Sequence, residues 1–182
     1  VAPDKQQIIY SQSFGQLIIR VEDLEASIAS HVTRGVVKLR NQQSTASLLT
    51  VFIRTNPFRQ QDAQYHPTLT VPLIQPCDDV GAFQSIANYT LHRIYREGYR
   101  YKKAGIMLSG IQSNTVRQAD LFAPPPDPAR EALMQAWDRI NRQYGRGTVK
   151  VATELMGANW RMKQALRSPR YTTCWQELRE VN

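Results

Sequence analysis

The segment Ala123–Pro128 contains three consecutive prolines and, two residues later, a fourth. This proline run constrains the fold of the chain more than any other feature of the sequence. Proline fixes φ and has no backbone N–H, so such a run occurs neither inside a helix nor in a central strand. It favours an extended polyproline conformation. We therefore predict a first domain at residues 1–115, a linker at 116–128 and a small C-terminal domain at 129–182.

The first domain has the hydrophobic periodicities of an α+β fold. Apolar residues predict strands at residues 6–13, 46–54, 68–74 and 105–111. Steps of three and four predict a helix at residues 21–39, and a second helix capped by Asp78 or Asp79 and closed by Gly98. The order β-α-β-β-α-β with right-handed crossovers predicts a ferredoxin-like, four-stranded sheet with both helices on one face. Pro72 predicts that the third strand lies at an edge or contains a bulge.

Residues 129–182 are predicted to form a small mixed α/β domain. Asp127 and Pro128 are typical of the cap and first position of a helix. Apolar steps of three and four continue this helix to Gly145, and residues 147–153 predict one strand. Candidate core residues follow at Trp160, Met162, Leu166 and Trp175.

The charge of the chain predicts an anionic partner. There are 23 Lys and Arg against 15 Asp and Glu, a net charge of +8, divided as +4 in residues 1–115, −1 in 116–128 and +5 in 129–182. The sequence contains no run of about 18 apolar residues, so it predicts no membrane-spanning helix. Cys77 and Cys174 stand far apart without metal-ligand spacing, so we expect reduced thiols and a cytoplasmic protein. The polar start at Val1, without an initiator Met, is expected of a fragment or a processed chain and not of a signal peptide.

The sequence does not predict an active site. His31, His66 and His92 are scattered and form no triad or metal motif. The adjacent carboxylates at 78 and 79 stand where a helix cap is needed. The Gly145–Thr148 segment lacks the ending of a phosphate-binding loop and is more typical of a turn. We therefore expect a binding function, with no cofactor held by these residues.

Basic residues cluster near the predicted strand ends, often beside aromatic ones. Such side chains neutralise phosphates, and nearby hydroxyls donate to phosphate oxygens; the alternative is a solvated surface. The candidate phosphate contacts are Ser11, Ser13, Lys38, Arg40, Arg54, Thr55, Arg59, Arg100, Lys102 and Lys103. An RNA-recognition module shares the element order but needs aromatic residues on its third strand, which has none, so base stacking on the sheet is disfavoured.

A short motif, Gln118-Ala119-Asp120-Leu121-Phe122, precedes the prolines. Two adjacent apolar residues in an extended tether are costly unless something buries them. They can anchor the segment in a partner's pocket, with one amide fixing the register. They can equally latch the segment onto the chain's own core, and the pattern alone leaves both alternatives open.

Several segments resemble the C-terminal part of UmuC-type Y-family DNA polymerases, over essentially the whole chain. In the first domain they are Ser11–Gly15, Phe52–Phe58 and Gly98–Leu108, and in the tail Asp138–Asn141, Tyr144–Thr148, Trp160–Lys163 and Ser168–Thr173. The resemblance implies that residues 5–115 are a little finger domain, which grips the backbone of template–primer duplex. It implies that Gln118, Leu121 and Phe122 are the key positions of a sliding-clamp-binding motif that also contains Asp120.

For residues 129–182 the resemblance implies a small domain specific to this branch, as a region that the family's regulatory partners, the UmuD-type subunit and the RecA filament, contact. The family's catalytic carboxylates, and the Mg²⁺ that they hold, belong to a palm that precedes the little finger. We therefore expect the DNA- and clamp-binding portion of a bacterial lesion-bypass polymerase that does not polymerise by itself. The alternative is a protein-interaction adaptor whose basic tail docks an acidic partner.

Overall fold

The structure is a computed structural model that describes residues 4–114, 127–156, 160–162 and 168–178. Residues 4–114 have the predicted order β-α-β-β-α-β, which confirms the α+β class. The elements are β1 (Ile8–Ile18), α1 (Val21–Asn41), β2 (Ser44–Thr55), β3 (Thr68–Cys77), α2 (Val80–Ile94), β4 (Tyr101–Ser113) and α3 (Pro128–Gln143), with 3₁₀ helices at Ala152–Leu155 and Trp175–Glu177.

All four strands pair antiparallel in the order β1-β4-β2-β3. The ferredoxin-like arrangement, with its first and third strands in the middle, was therefore the wrong strand order. Pro72 and Pro76 supply the physical reason, because a central strand must donate hydrogen bonds on both sides and proline has no donor. The third strand lies at an edge, one of the two alternatives that Pro72 predicts, its register with β2 shifts between Ala46 and Leu48, and β2 and β4 occupy the centre.

Helices α1 and α2 pack against each other and against the same sheet. On the two central strands, every second side chain points towards the helices. Across β2 and β4 these are Leu49, Val51 and Ile53, which stand opposite Leu108, Ile106 and Ala104. These six side chains are fully buried in the main hydrophobic cluster together with both helices. The other face of the sheet is not covered by α1 or α2.

The ends of α2 test two sequence predictions. Asp79 caps the helix, since its Oδ1 accepts from the Ala82 N–H at 2.6 Å. The helix does not continue to Gly98 as expected but ends at Ile94, because Tyr95 has extended backbone angles. The following turn is held by the Tyr101 hydroxyl, which donates to the Arg96 carbonyl oxygen and accepts from its N–H.

The C-terminal part packs on the helix layer. Met134 of α3 belongs to the main hydrophobic cluster, and Arg130 forms an ion pair with Asp79. Trp160 is 1% exposed and packs edge-on against Phe14 and His31, with ring centroids 6.5 and 5.9 Å apart. These contacts join residues on both sides of the proline segment in one core.

The strand predicted at residues 147–153 is wrong, and the described part of the C-terminal region contains no strand. Gly147 has a φ of +87°, which turns the chain. The side chain of Asn141 then occupies the backbone groups that a neighbouring strand would need. Its Oδ1 accepts from the N–H groups of Gly147 and Val149, and its Nδ2 donates to the Val149 carbonyl oxygen.

Candidate nucleic-acid interface

The face of the sheet opposite α1 and α2 presents the other alternate side chains of each strand. We call it the open face. Its members are Ile9, Ser11 and Ser13 of β1, Lys103, Gly105 and Met107 of β4, Thr50, Phe52 and Arg54 of β2, and Thr68 and Thr70 of β3. The backbone register arranges them in rows across the four strands.

One row is cationic and rich in donors. Ser13 stands opposite Lys103, and Lys103 stands opposite Arg54, so the three lie side by side across β1, β4 and β2. Neighbouring strands are about 4.8 Å apart, which places these backbone positions within about 10 Å. Ser13 and Arg54 are exposed and Lys103 is half-buried. The row therefore offers two positive charges and a hydroxyl to an anionic chain.

The next row gives the open face its shape. Ser11, Gly105 and Phe52 stand opposite one another, and a Cβ at position 105 would overlap both the Phe52 ring and the Ser11 side chain. The phenyl ring therefore lies over the glycine. The Arg54 guanidinium stands over this ring, 5.4 Å from its centroid, a cation–π contact that orients the arginine.

Polar and apolar side chains continue the open face away from the cationic row. The Thr50 and Thr70 hydroxyls lie 2.8 Å apart and bond to each other across β2 and β3. Ile9 and Met107 stand opposite one another at the β1–β4 side of the same row as Thr50. The positive charge of the open face is thus concentrated at the end where Arg54 and Lys103 lie.

Two further cations lie at that same end, on connecting segments. Asp62, in the β2–β3 loop, forms an ion pair with Arg59 at 3.0 Å and approaches the Arg100 guanidinium at 3.5 Å. The loop and the turn before β4 are therefore joined through one carboxylate. Both arginines keep solvent access, with side chains 39% and 46% exposed, so they can also face a phosphate.

The buried position of Thr55 corrects its assignment as a phosphate contact. Thr55 is 2% exposed, and its hydroxyl donates to Gln64 Oε1 at 2.8 Å while accepting from the Tyr65 N–H. Strand alternation places it on the covered face, one residue beyond exposed Arg54. The hydroxyl organises the β2–β3 loop instead.

Arg40 is also corrected. It lies at the end of α1, where it forms ion pairs with Asp78 at 2.9 Å and with Asp138 of α3 at 2.7 Å, and its side chain is only 13% exposed. A guanidinium with two carboxylate partners contributes to packing and not to phosphate binding. The sequence placed it on a basic helix face because its partners are 38 and 98 residues away.

Two of the predicted lysines, Lys38 and Lys102, are not members of the open face. Lys38 lies on α1, in the helix layer, with its ammonium group 5.6 Å from the centroid of the Tyr10 ring. Lys102 donates through Nζ to the Phe14 carbonyl oxygen at 2.6 Å, and its ammonium group keeps its charge and two further N–H donors. As phosphate contacts both stay predictions, together with Ser11, Ser13, Arg54, Arg59, Arg100 and Lys103.

Sequence reasoning missed the organisation of the β2–β3 loop. The Gln64 amide nitrogen lies 3.0–3.1 Å from the carbonyl oxygens of Asn56, Arg59 and Asp62. The loop leaves Phe58 91% exposed. The Asn56-Pro57 pair is a turn signal in the sequence. Nothing in the local pattern indicates that a glutamine eight residues beyond Asn56 closes the turn.

Burial raises the pKa of two tyrosines, Tyr95 and Tyr101, next to this loop. The pKa of Tyr101 is raised, first by burial, and that of Tyr95 is raised for the same leading reason. Both phenols therefore stay neutral at physiological pH and act as hydrogen-bond donors: Tyr101 to Arg96 and Tyr95 to the Ile19 carbonyl oxygen at 2.8 Å. They stabilise the turn that carries Arg100.

The segment with Gln118, Asp120, Leu121 and Phe122 lies outside the described residues. Within the described ranges, no three His, Cys, Asp or Glu side chains converge in a way that would hold a metal ion. Nor does any helix there have the length and apolar character needed to cross a bilayer.

Two family models match the chain. The impB/mucB/samB family C-terminal domain matches residues 5–121, and a domain of unknown function, DUF4113, matches residues 131–181. Among known proteins, the chain is 35% identical over 183 residues to Protein UmuC of Salmonella typhimurium, covering 99% of this chain and 43% of that protein. It is 36% identical over 177 residues to Protein MucB of Escherichia coli, covering 97% of this chain and 41% of that protein. The chain thus spans about two fifths of the length of these relatives.

Solved structures include two weaker likenesses. The Dbh DNA polymerase in an insertion ternary complex has a TM-score of 0.49 at 8% identity, covering 62% of this chain and 32% of that one. The little finger domain of PolIV, solved in a complex with the beta-clamp processivity factor, has a TM-score of 0.43 at 16% identity, covering 64% of this chain and 99% of that one. The family model and the full-length sequence identities carry the assignment. The chain therefore belongs to the impB/mucB/samB family, as a C-terminal region of the UmuC type of Y-family DNA polymerase.

Proposed function

We propose that the open face of the sheet binds the sugar-phosphate backbone of template–primer duplex during translesion synthesis. The observation that carries this proposal is the row of Ser13, Lys103 and Arg54, which lies in register on the face not covered by α1 and α2. Lys and Arg neutralise phosphates, and Ser donates to phosphate oxygens. Such contacts hold DNA in place without reading its sequence.

The salt dependence of DNA affinity tests this proposal. We expect log Kd to change linearly with log salt concentration, and we expect Arg54→Ala or Lys103→Ala to weaken binding on every sequence and to reduce the slope by about 1. Arg93→Ala is the matched control, since Arg93 is an exposed arginine on α2. A flat plot, a strong sequence preference, or an equal effect of the control would count against the proposal.

We propose separately that Gln118–Phe122 binds a bacterial sliding clamp, with Leu121 and Phe122 as apolar anchors. The motif in its proline-bounded tether supports this proposal. Replacing both anchors by Ala should abolish clamp binding and leave DNA affinity unchanged. The Arg54→Ala and Lys103→Ala variants should do the reverse. Clamp affinity that survives loss of both anchors would refute the proposal.

Nucleotide addition, with its Mg²⁺, is proposed to belong to another part of the polymerase. The chain, incubated with primed template, nucleotides and Mg²⁺, should give no extension. Extension that copurifies with the chain through several columns would contradict this. A cytoplasmic location, and contacts of residues 129–182 with a UmuD-type subunit and the RecA filament, remain proposals of the same kind.

A protein-interaction adaptor is the second candidate function. It is favoured by apolar side chains that the C-terminal part exposes, including Leu133 at 58% and Trp175 at 85%, on a segment with a net charge of +5. Pull-down from an extract treated with nuclease distinguishes the two candidates. An adaptor retains its protein partner without DNA, whereas a DNA-binding module loses the proteins that DNA alone had bridged.

A further inference from the structure

Phe58 projects from the loop between β2 and β3 with 91% of its surface exposed. The loop around it is closely bonded. The Phe58 N–H donates to Asn56 Oδ1 at 3.1 Å, and the Gln64 amide nitrogen lies 3.0–3.1 Å from three loop carbonyl oxygens. The Gln64 amide oxygen accepts from the buried Thr55 hydroxyl, which ties the loop to the end of β2.

A single exposed apolar residue is common on protein surfaces and needs no explanation by itself. Phe58 differs because the bonds that order its loop do not bury the ring. Pro57, on its N-terminal side, further restricts the backbone. The ordering costs conformational entropy and secures no packing for the phenyl group. A contact with a partner would account for a ring presented in this way.

The position of the loop indicates which partner. It begins two residues after Arg54, at the cationic end of the open face. Asp62 of the loop also forms an ion pair with Arg59 and approaches Arg100. Phe58 follows Arg54 by four residues, so their backbone positions are at most about 14 Å apart, and the bases of a strand held by Arg54 and Lys103 would lie within range of the phenyl ring. Charge complementarity at this end favours nucleic acid over an apolar protein surface.

The chemistry of the ring narrows the partner further. Inside a duplex the faces of the bases are stacked on each other, so a phenyl ring reaches them only by unstacking a step. The face of an unpaired base is already free, and aromatic side chains stack on it whatever its identity. The strand pattern argues against stacking on the sheet itself, but Phe58 is on a loop. We propose that Phe58 stacks on an unpaired base adjoining the duplex that the open face holds, an inference that rests on the proposed DNA-binding function.

The experiment compares two labelled probes of the same sequence: a blunt duplex, and that duplex with a single-stranded 5′ extension. Binding of the full 182-residue chain is measured by anisotropy. We expect Phe58→Ala to weaken binding to the extended probe about fivefold or more and to leave the blunt duplex unaffected. Phe58→Trp should retain the preference for the extension. Phe58→Leu, apolar but not aromatic, should behave like the alanine variant.

A base analogue reads the stacking directly. With 2-aminopurine as the first unpaired base, the wild-type chain should quench its fluorescence and Phe58→Ala should not. Ile74→Ala is the matched control, because Ile74 is an apolar residue of β3 that is 95% exposed. It should change neither affinity nor fluorescence. Circular dichroism of each variant verifies that it is folded.

The outcomes separate this inference from the function on which it rests. If Phe58→Ala weakens both probes equally, lowers clamp binding instead, or changes nothing while Arg54→Ala still impairs DNA binding, the stacking inference is overturned and the open-face proposal stands. If Arg54→Ala and Lys103→Ala also leave DNA affinity unchanged, the open-face proposal fails as well. An extension-specific loss with loss of quenching supports the inference.

Discussion

The N–H of Gly15 donates to the carbonyl oxygen of Trp160 across 3.4 Å, which joins edge strand β1 to the C-terminal part of the chain. The indole beside this bond is almost completely buried, against Phe14 and His31. Residues that the prolines separate in sequence thus contribute to one core.

Replacing Trp160 by Ala should lower the free energy of unfolding by about 3–5 kcal/mol, the usual cost of removing a large aromatic side chain from a core. Urea denaturation followed by circular dichroism measures the change. Trp175→Ala is the matched control, because Trp175 is 85% exposed, and it should cost about 0.5 kcal/mol or less. Equal midpoints for the two variants would show that the buried indole does not stabilise the core.

Gly15→Ala should also destabilise the chain, by about 1–3 kcal/mol. A Cβ at this position would lie 2.9 Å from the Arg161 carbonyl oxygen and 3.1 Å from Met162 Cα, and backbone atoms cannot move aside as a flexible side chain can. A double-mutant cycle with Trp160→Ala measures the coupling. If the cost of Gly15→Ala is the same in both backgrounds, it does not act through the attached C-terminal segment.

Arg40 and Arg54 should respond in opposite ways to the same substitution. Arg40→Gln removes the partner of Asp78 and Asp138 and should lower stability by about 1–3 kcal/mol, while the salt dependence of DNA binding stays unchanged. Arg54→Gln should reduce the salt slope and leave stability within about 0.5 kcal/mol. A loss of salt slope in folded Arg40→Gln would reinstate Arg40 as a phosphate contact.

His31 should make stability depend on pH. Burial, and to a lesser degree the charge of Arg34, lowers its pKa to about 4, while Ser27 Oγ lies 3.3 Å from its Nε2. Since the unfolded histidine titrates near 6.5, the unfolded chain binds more protons between these pH values. The free energy of unfolding is therefore unaffected by the titration of His31 above about pH 6.5 and decreases as the pH falls from there towards 4.

We expect wild-type stability to fall by about 2 kcal/mol more than that of His31→Gln between pH 7 and pH 5. Urea unfolding at the two pH values measures this difference. His66→Gln, which replaces an exposed histidine of the β2–β3 connection, should retain the wild-type pH dependence. Parallel pH profiles for wild type and His31→Gln would contradict the prediction.

Local signals in the sequence predicted the elements well where the relevant chemistry is local. Asp79 and the Asp127-Pro128 pair mark the starts of α2 and α3 because a cap bonds to backbone groups only two or three residues away. Pro72 indicates an edge strand because its missing donor is a property of one residue. An edge position for β3 also disagrees with the ferredoxin-like order, in which the third strand is central, but it does not specify the order of the other three strands.

The candidate site was only partly predictable. Alternation along β2 separates Arg54 from Thr55, yet alternation alone does not tell which face the helices cover. Arg40 and Lys38 lie on a basic helix face in the sequence, and nothing local to them reveals carboxylates on α3 or an aromatic ring on β1. Phe58 is one of several aromatic residues in the sequence, and its exposure follows from the loop that Gln64 closes.

The sequence by itself therefore determined the family and the order of the elements from β1 to β4, because periodicity, caps and motifs depend on neighbouring residues. The tertiary structure alone decided that Ser13, Lys103 and Arg54 share one row and that Trp160 enters the main core. Strand register brings together residues of the row that are up to about ninety positions apart in the sequence. The residues that pack around Trp160 are farther still from it in the sequence. Their contacts depend on the folded chain as a whole, and no local pattern encodes them.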